Sequence, residues 1–195
     1  EVTAVSPAPG GFTVSTPDGD YAAKAVVLAT GAQHRKLGVD REDELAGNGV
    51  CYCAVCDGAF YKDRPVAVAG GGDAALQDAL LLANVCSQVY IIHRRDEFRA
   101  EAANVSAVLS RGNITCLMNS RVMALEGEGE LSGIVVEDKA TLERRSIAVD
   151  GLFVAVGYEA ANAAFAPIAK LDAAGWFTAG EDCAAGTPGV FAAGD

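Results

Sequence analysis

Cys53-Ala54-Val55-Cys56 sets two thiols two residues apart, and Asp57 follows the second directly. At the start of a helix this spacing lets the sulfurs close a readily reduced disulfide, and the helix N-terminus lowers the pKa of a thiol held there. A carboxyl group beside such a dithiol can act as general acid or base where its surroundings raise its pKa. Two other readings stand beside the redox one. With Cys51 the cluster becomes C-x-C-x-x-C, which could contribute to a zinc site. A structural zinc site wants four ligands in paired knuckles, yet there is no second C-x-x-C and the only histidines are His34 and His93. Inert buried thiols are the remaining reading, and redox chemistry is preferred to both. Cys86, Cys116 and Cys183 sit among apolar residues and read as packing side chains.

Gly70-Gly71-Gly72-Asp73-Ala74-Ala75 fits G-x-G-x-x-A. The pattern is weak alone, but here an apolar strand precedes it and a helix follows, as a dinucleotide loop requires. Gly70 permits the turn, Gly72 lets the backbone approach a pyrophosphate, and Ala75 keeps the helix close to the sheet. Gly71 completes the loop, and Asp73 is placed to cap the helix. The helix N-terminus would offer free N–H groups and a favourable dipole to the phosphates. The bland alternative is a glycine-rich turn with no ligand.

The next strand ends at Ile92, and His93-Arg94-Arg95-Asp96-Glu97-Phe98-Arg99 follows. An NAD site carries an acidic residue about 20 positions beyond the glycines, for the ribose hydroxyls. Here that place holds His93, Arg94 and Arg95. Arginine suits the 2′-phosphate of NADP(H) by charge and by its forked donors, and Arg99 lies close enough in sequence to join. A solvated basic turn is the competing reading. It is disfavoured because the chain has 15 basic against 26 acidic residues and a net charge of −11. The same balance argues against general nucleic-acid binding.

The elements that must position these groups are legible as β–α alternation. Pro65–Ala69 reads as a strand, 73–86 as a helix, Gln88–Ile92 as a strand and 99–110 as a second helix. Residues 114–148 read as strands with glycine-rich turns, and 151–156 as another buried strand. The first segment is β-rich: 11–16 and 21–24 read as hairpin strands, and 25–29 as a buried strand closed by Thr30-Gly31-Ala32. A chain of 195 residues holds one large domain, or one domain with pieces of a second. No apolar run is long enough to span a membrane. Glu1-Val2-Thr3-Ala4-Val5 is not a signal peptide; it reads as a strand that starts abruptly, with the expectation that sequence precedes it.

In order and spacing, Cys53-Ala54-Val55-Cys56-Asp57-Gly58, Val66-Ala67-Val68-Ala69-Gly70-Gly71-Gly72 and His93-Arg94-Arg95-Asp96-Glu97-Phe98-Arg99-Ala100 together resemble the low-molecular-weight thioredoxin reductases. Ala29-Thr30-Gly31-Ala32 looks like the segment of that family that passes beside the flavin. Thr187-Pro188-Gly189-Val190-Phe191-Ala192-Ala193-Gly194-Asp195 looks like its late flavin motif, whose Asp contacts the ribityl or phosphate part of FAD. The resemblance covers essentially the whole chain. It implies an α/β fold with a three-layer, Rossmann-like NADPH-binding domain over residues 33–157, flanked by partial FAD-domain β segments at 1–32 and 158–195.

The implied cofactors are NADPH and FAD, with Thr30, Gly31, Ala32, Gly157, Gly194 and Asp195 added to the cofactor-binding residues. The implied activity is NADPH-dependent thioredoxin-disulfide reduction. Electrons reach the Cys53–Cys56 disulfide through flavin by way of Cys56, Cys53 then attacks the disulfide of thioredoxin, and Asp57 handles the proton. The family also implies a cytoplasmic homodimer, free of membrane or nucleic acid, whose NADPH domain rotates about linkers near Gly31–Gly38 and Gly157–Asn162. Two departures qualify this. No glycine fingerprint for the ADP part of FAD precedes Glu1 and the chain stops at Asp195, so the expectation is an incomplete flavin half and weak turnover. A G-x-x-P often closes the last strand of the nucleotide domain, but Gly157-Tyr158-Glu159-Ala160 lacks the proline. The alternatives are the flavoprotein reductase of a peroxiredoxin system and, outside enzymes, a stand-alone NADPH-binding dithiol module without flavin.

Overall fold

The computed structural model describes residues 1–194. In chain order the elements are β1 (Ala4–Ala8), β2 (Gly11–Thr16), β3 (Gly19–Ala23), β4 (Val26–Leu28), β5 (Gln33–His34), β6 (Val50–Cys51), α1 (Ala54–Asp57), β7 (Pro65–Gly70), α2 (Asp73–Leu82), β8 (Gln88–Ile92), α3 (Ala102–Leu109), β9 (Ile114–Leu117), β10 (Ser120–Glu126), β11 (Gly133–Asp138), β12 (Arg144–Ile147), β13 (Gly151–Ala155), β14 (Tyr158–Glu159) and β15 (Val190–Ala192). They fall into two compact units, one of residues 1–33 and 158–195, the other of 34–157.

The second unit has three layers. Its centre is a parallel sheet in the order β6-β13-β7-β8-β9. The side chains of a strand alternate between faces, so each strand feeds two cores. Val66, Val68, Val89, Ile91 and Phe153 pack with α2 and α3, through Leu76, Ala79, Leu82 and Val108. Ala67, Ala69, Ile92, Leu152 and Val154 pack on the other face with Val122, Ile134 and Val136 of the antiparallel meander β10-β11-β12. Small residues at Ala75 and Ala79, both fully buried, hold α2 close to the sheet.

Both helices are shorter than the sequence suggests. α2 stops at Leu82 because the following amides tighten onto nearer carbonyls: Asn84 N–H bonds Leu81 O and Val85 N–H bonds Leu82 O. Asn113 Nδ2 caps that end by donating to Ala83 O at 2.9 Å and Cys86 O at 3.3 Å. α3 starts only at Ala102 because Arg99 is held extended, its N–H on Gly71 O at 2.8 Å.

The first unit carries an antiparallel sheet, β1-β2-β3, and a parallel pair, β4 and β15. Val5, Phe12, Leu28, Ile168, Ala185 and Val190 form its core. The run 25–29 is not fully buried: Val27 is 64% exposed, because the two-stranded sheet is not covered on both faces among the described residues.

Candidate active site

In the second unit the expected chemical groups converge for a topological reason. β6, β7 and β8 run parallel, and the cysteine segment, the glycine loop and the arginine segment follow them respectively. All three therefore lie at the carboxyl edge of one sheet, where open α/β sheets take their ligands.

At the end of β6, Cys53 and Cys56 are joined by a disulfide, with their Cα atoms 5.3 Å apart. Cys53 is the N-cap of the one-turn helix α1, and its Sγ accepts the Cys56 N–H at 3.1 Å. Cys56 is exposed and Cys53 half-buried. Behind them, the buried Cys51 Sγ lies 3.3 Å from Tyr61 Oη. Burial pushes the Cys51 thiol up, against the Tyr61 hydrogen bond, and the nearby Asp57 carboxylate adds to the rise. Tyr61 packs edge-on against Phe153 and fills the space a side chain at Gly151 would need. On the outer side, Val55 is 81% and Phe60 77% exposed, an apolar collar beside Cys56.

In the glycine loop the division of labour differs from the expected one. Gly70 adopts φ +156°, and a Cβ there would stand 2.4 Å from Ala155 O and 2.7 Å from the Ala75 Cβ, so close helix–strand packing demands it. Gly72, not Asp73, is the N-cap of α2. The Asp73 carboxylate turns instead to α3, accepting from Glu101 N–H at 2.8 Å and Asn104 Nδ2 at 2.7 Å, which keeps it below the usual aspartate pKa. A hydrogen bond to the start of α3 outcompetes local capping, so Asp73 ties the two helices together. Over Gly72 the surface is open: a Cβ would find only Arg99 O at 3.7 Å. The first amides of α2 are therefore reachable by a phosphate.

The basic segment splits in two. His93 is buried, with its Nε2 2.9 Å from Glu97 O and its ring stacked on Phe98. Burial, with Arg94 and Arg99 close by, keeps the imidazole below its ordinary pKa. His93 thus supports the loop from beneath. Arg94 and Arg99 are exposed and Arg95 is half-buried. Among the described residues none of the three forms an ion pair with a carboxylate. Guanidinium groups left unpaired in an acidic chain, beside an open helix N-terminus, fit a bound phosphate.

In the first unit, Thr30-Gly31-Ala32 follow β4 and Ala193-Gly194 follow β15, and these strands are parallel. These segments too share a carboxyl edge. Gly31 and Ala32, with Tyr158 and Trp176, line a pocket of about 680 Å³. Thr30 Oγ1 donates to the buried Asn162 Oδ1 at 2.6 Å, and Asn162 Nδ2 donates to Gly175 O, so the Thr30 hydroxyl is used in bracing the pocket wall. Gly31 at φ +68° and Gly194 at φ +90° have open space where a side chain would be. A planar ligand lying across these strand ends fits both features. Gly157 has φ +103°, and its carbonyl accepts Arg35 N–H at 2.9 Å. Asp195 lies outside the described residues. Of the other cysteines, Cys86 is buried and Cys116 half-buried, whereas Cys183 is exposed in a turn at φ +59° and is no packing residue.

Sequence reasoning missed Glu42. It is buried and accepts Leu37 N–H, Gly38 N–H and Tyr52 Oη, fastening the segment before β6 to the residue between Cys51 and Cys53. A charged residue in a polar stretch carries no sequence signal of burial.

The whole chain, residues 1–195, matches the family model described as pyridine nucleotide-disulphide oxidoreductase. It is 43% identical over 176 residues to a thioredoxin reductase of Streptomyces clavuligerus, covering 90% of this chain and 55% of that protein. It is 38% identical over 195 residues to one of Treponema pallidum, covering 100% of this chain and 63% of the other. Among solved structures, Lactococcus lactis thioredoxin reductase in its FR conformation superposes with a TM-score of 0.87 at 33% identity, over 100% of this chain and 65% of that one. T. acidophilum thioredoxin reductase gives 0.85 at 34%, over 100% and 64%. The chain thus spans less than two thirds of each of these proteins.

Proposed function

This chain belongs to the pyridine nucleotide-disulphide oxidoreductase family, and on that premise we propose that it serves NADPH-dependent reduction of a protein disulfide, with thioredoxin as the partner. The observation that carries the reading is the shared carboxyl edge of β6, β7 and β8, which sets a redox disulfide, an open glycine loop and unpaired arginines side by side. FAD, held at the ends of β4 and β15, would supply the two-electron relay between nicotinamide and disulfide.

The residues of the chain divide the remaining work. The amides at the start of α2 hold the pyrophosphate, and Arg94, Arg95 and Arg99 hold the 2′-phosphate. The Cys56 N–H that Cys53 Sγ accepts also stabilises a thiolate at Cys53, which suits that sulfur to attack the partner's disulfide. Asp57, next to the pair, takes and returns the proton. The apolar collar of Val55 and Phe60 suits a protein substrate, whose own redox site would cover it. The relatives named thioredoxin reductase support this partner, and free thiols at Cys51, Cys86, Cys116 and Cys183 support a reducing compartment such as the cytoplasm. A homodimer, as in the resembled family, completes the proposal.

The test is anaerobic incubation of the protein with FAD and NADPH, followed by alkylation and mass spectrometry at Cys53 and Cys56. Conversion of the disulfide to two thiols, and their reoxidation by thioredoxin disulfide, is expected. A disulfide that persists in protein holding both cofactors overturns the proposal.

A further inference from the structure

We infer that Lys139 is a fourth cation of the 2′-phosphate site, delivered from the meander and not from the basic segment itself. The inference rests on the reading of Arg94, Arg95 and Arg99 as that site. Lys139 directly follows β11, where the chain turns back towards β12. The turn is stapled by the Asp138 carboxylate, which accepts Ala140 N–H at 2.8 Å and Thr141 N–H at 3.1 Å. Two contacts bring Lys139 to the arginine segment. Its main-chain N–H donates to Asn119 O at 2.7 Å, and Asn119 N–H in turn donates to Arg95 O at 2.9 Å. Its Nζ donates to Arg94 O at 3.2 Å. Both ends of the residue are thus referred to the peptides that carry Arg94 and Arg95.

The ammonium has three donors and one protein acceptor. Lys139 is exposed, and among the described residues it forms no ion pair. A carboxylate partner would cancel its field. Without one, the charge adds to those of the neighbouring guanidiniums and favours a dianionic group over a hydroxyl. The group recognised is a phosphate monoester on ribose, so Lys139 selects NADPH against NADH without touching the part the two cofactors share.

The experiment compares wild type with Lys139→Gln, Lys139→Ala and Lys139→Arg, titrating NADPH and NADH by calorimetry at low and physiological salt. Gln keeps an N–H donor for Arg94 O and removes the charge, while Arg keeps the charge. For an exposed, screened charge the expected loss with Gln or Ala is about twofold to fivefold for NADPH and near none for NADH, with a shallower salt dependence. Arg should restore wild-type behaviour. Unchanged NADPH affinity in Lys139→Gln, or equal losses for both nucleotides, overturns the inference while leaving the arginine site standing. A wild-type protein that does not distinguish NADPH from NADH overturns that site and the inference together.

Discussion

The imidazole of His93 occupies the space a side chain at Gly71 would need: a Cβ at position 71 would stand 2.1 Å from Nδ1 and 2.3 Å from Cε1. The middle glycine of the loop is therefore required by the residue that opens the basic segment. The glycine loop and the basic segment, whose Gly71 and His93 lie more than twenty positions apart in the chain, are one packed object. Arg99 N–H on Gly71 O closes the same contact from the other end of the segment.

This predicts opposite phenotypes for neighbouring glycines. Gly71→Ala must displace a buried ring and should cost about 1–3 kcal/mol of stability, with nucleotide binding lost as the loop shifts. Gly72→Ala has room within the protein and a negative φ of −97°. It should leave the melting temperature within a degree or two and weaken NADPH binding about tenfold, by holding the pyrophosphate off the helix. Thermal melts and calorimetry on both variants check this. Equal destabilisation would show that Gly72 is needed for packing.

The thiols should separate by exposure. In the oxidised protein Cys183 is the exposed free thiol and should react first with an alkylating reagent. Cys51 and Cys86 are buried, and burial raises both thiols, Cys86 to about 11, so both should stay unmodified at mild pH. A gentle reductant should add Cys56 and Cys53 to the reactive set. Peptide mass spectrometry reads the order, and early labelling of Cys51 would refute the placement of that side chain.

Asp57→Asn should leave the disulfide and NADPH affinity intact. It should slow exchange of the chemically reduced pair with a protein disulfide by about 10²-fold near neutral pH, the usual scale for losing a general acid–base group. Stopped-flow exchange over a range of pH measures it. An unchanged rate and profile would remove Asp57 from the chemistry.

Glu137 stands between Arg121, at 2.7 Å, and Arg144, at 2.8 Å, with its side chain 5% exposed. Hydrogen bonds from the two arginines hold its pKa below the ordinary value. A carboxyl lowered on folding contributes stability above its unfolded pKa of about 4.3, and that contribution is lost as pH falls through the lower, folded value. Glu137→Gln should therefore melt earlier than wild type at pH 7, and the gap should close in acid. A gap that is independent of pH would show that the arginines do not stabilise the carboxylate.

Much of the site was legible because its signals are local. The C-x-x-C, the glycines at the strand–helix junction and the arginines after β8 each announce themselves within a few residues. Their convergence follows from parallel strands alone. What stayed hidden depended on partners far away in sequence. Asp73 reads as a helix cap until Glu101 and Asn104 arrive. His93 reads as a ligand contact until Gly71 is seen to lie on its ring. Arg99 reads as helical until its N–H is found on the glycine loop. Lys139, in a turn between two strands, carries no motif at all, and only tertiary contacts, through Asn119 and directly with Arg94 O, link it to the arginines.

The central claim is that this sheet edge recognises a nucleotide by its 2′-phosphate, and the most direct measurement is NADPH and NADH affinity for wild type and Arg94→Ala/Arg95→Ala. The account predicts tighter binding of NADPH to wild type, and a loss in the double variant that falls on NADPH at least tenfold more than on NADH, as removal of charge-assisted phosphate contacts requires. Equal losses for the two nucleotides would contradict it.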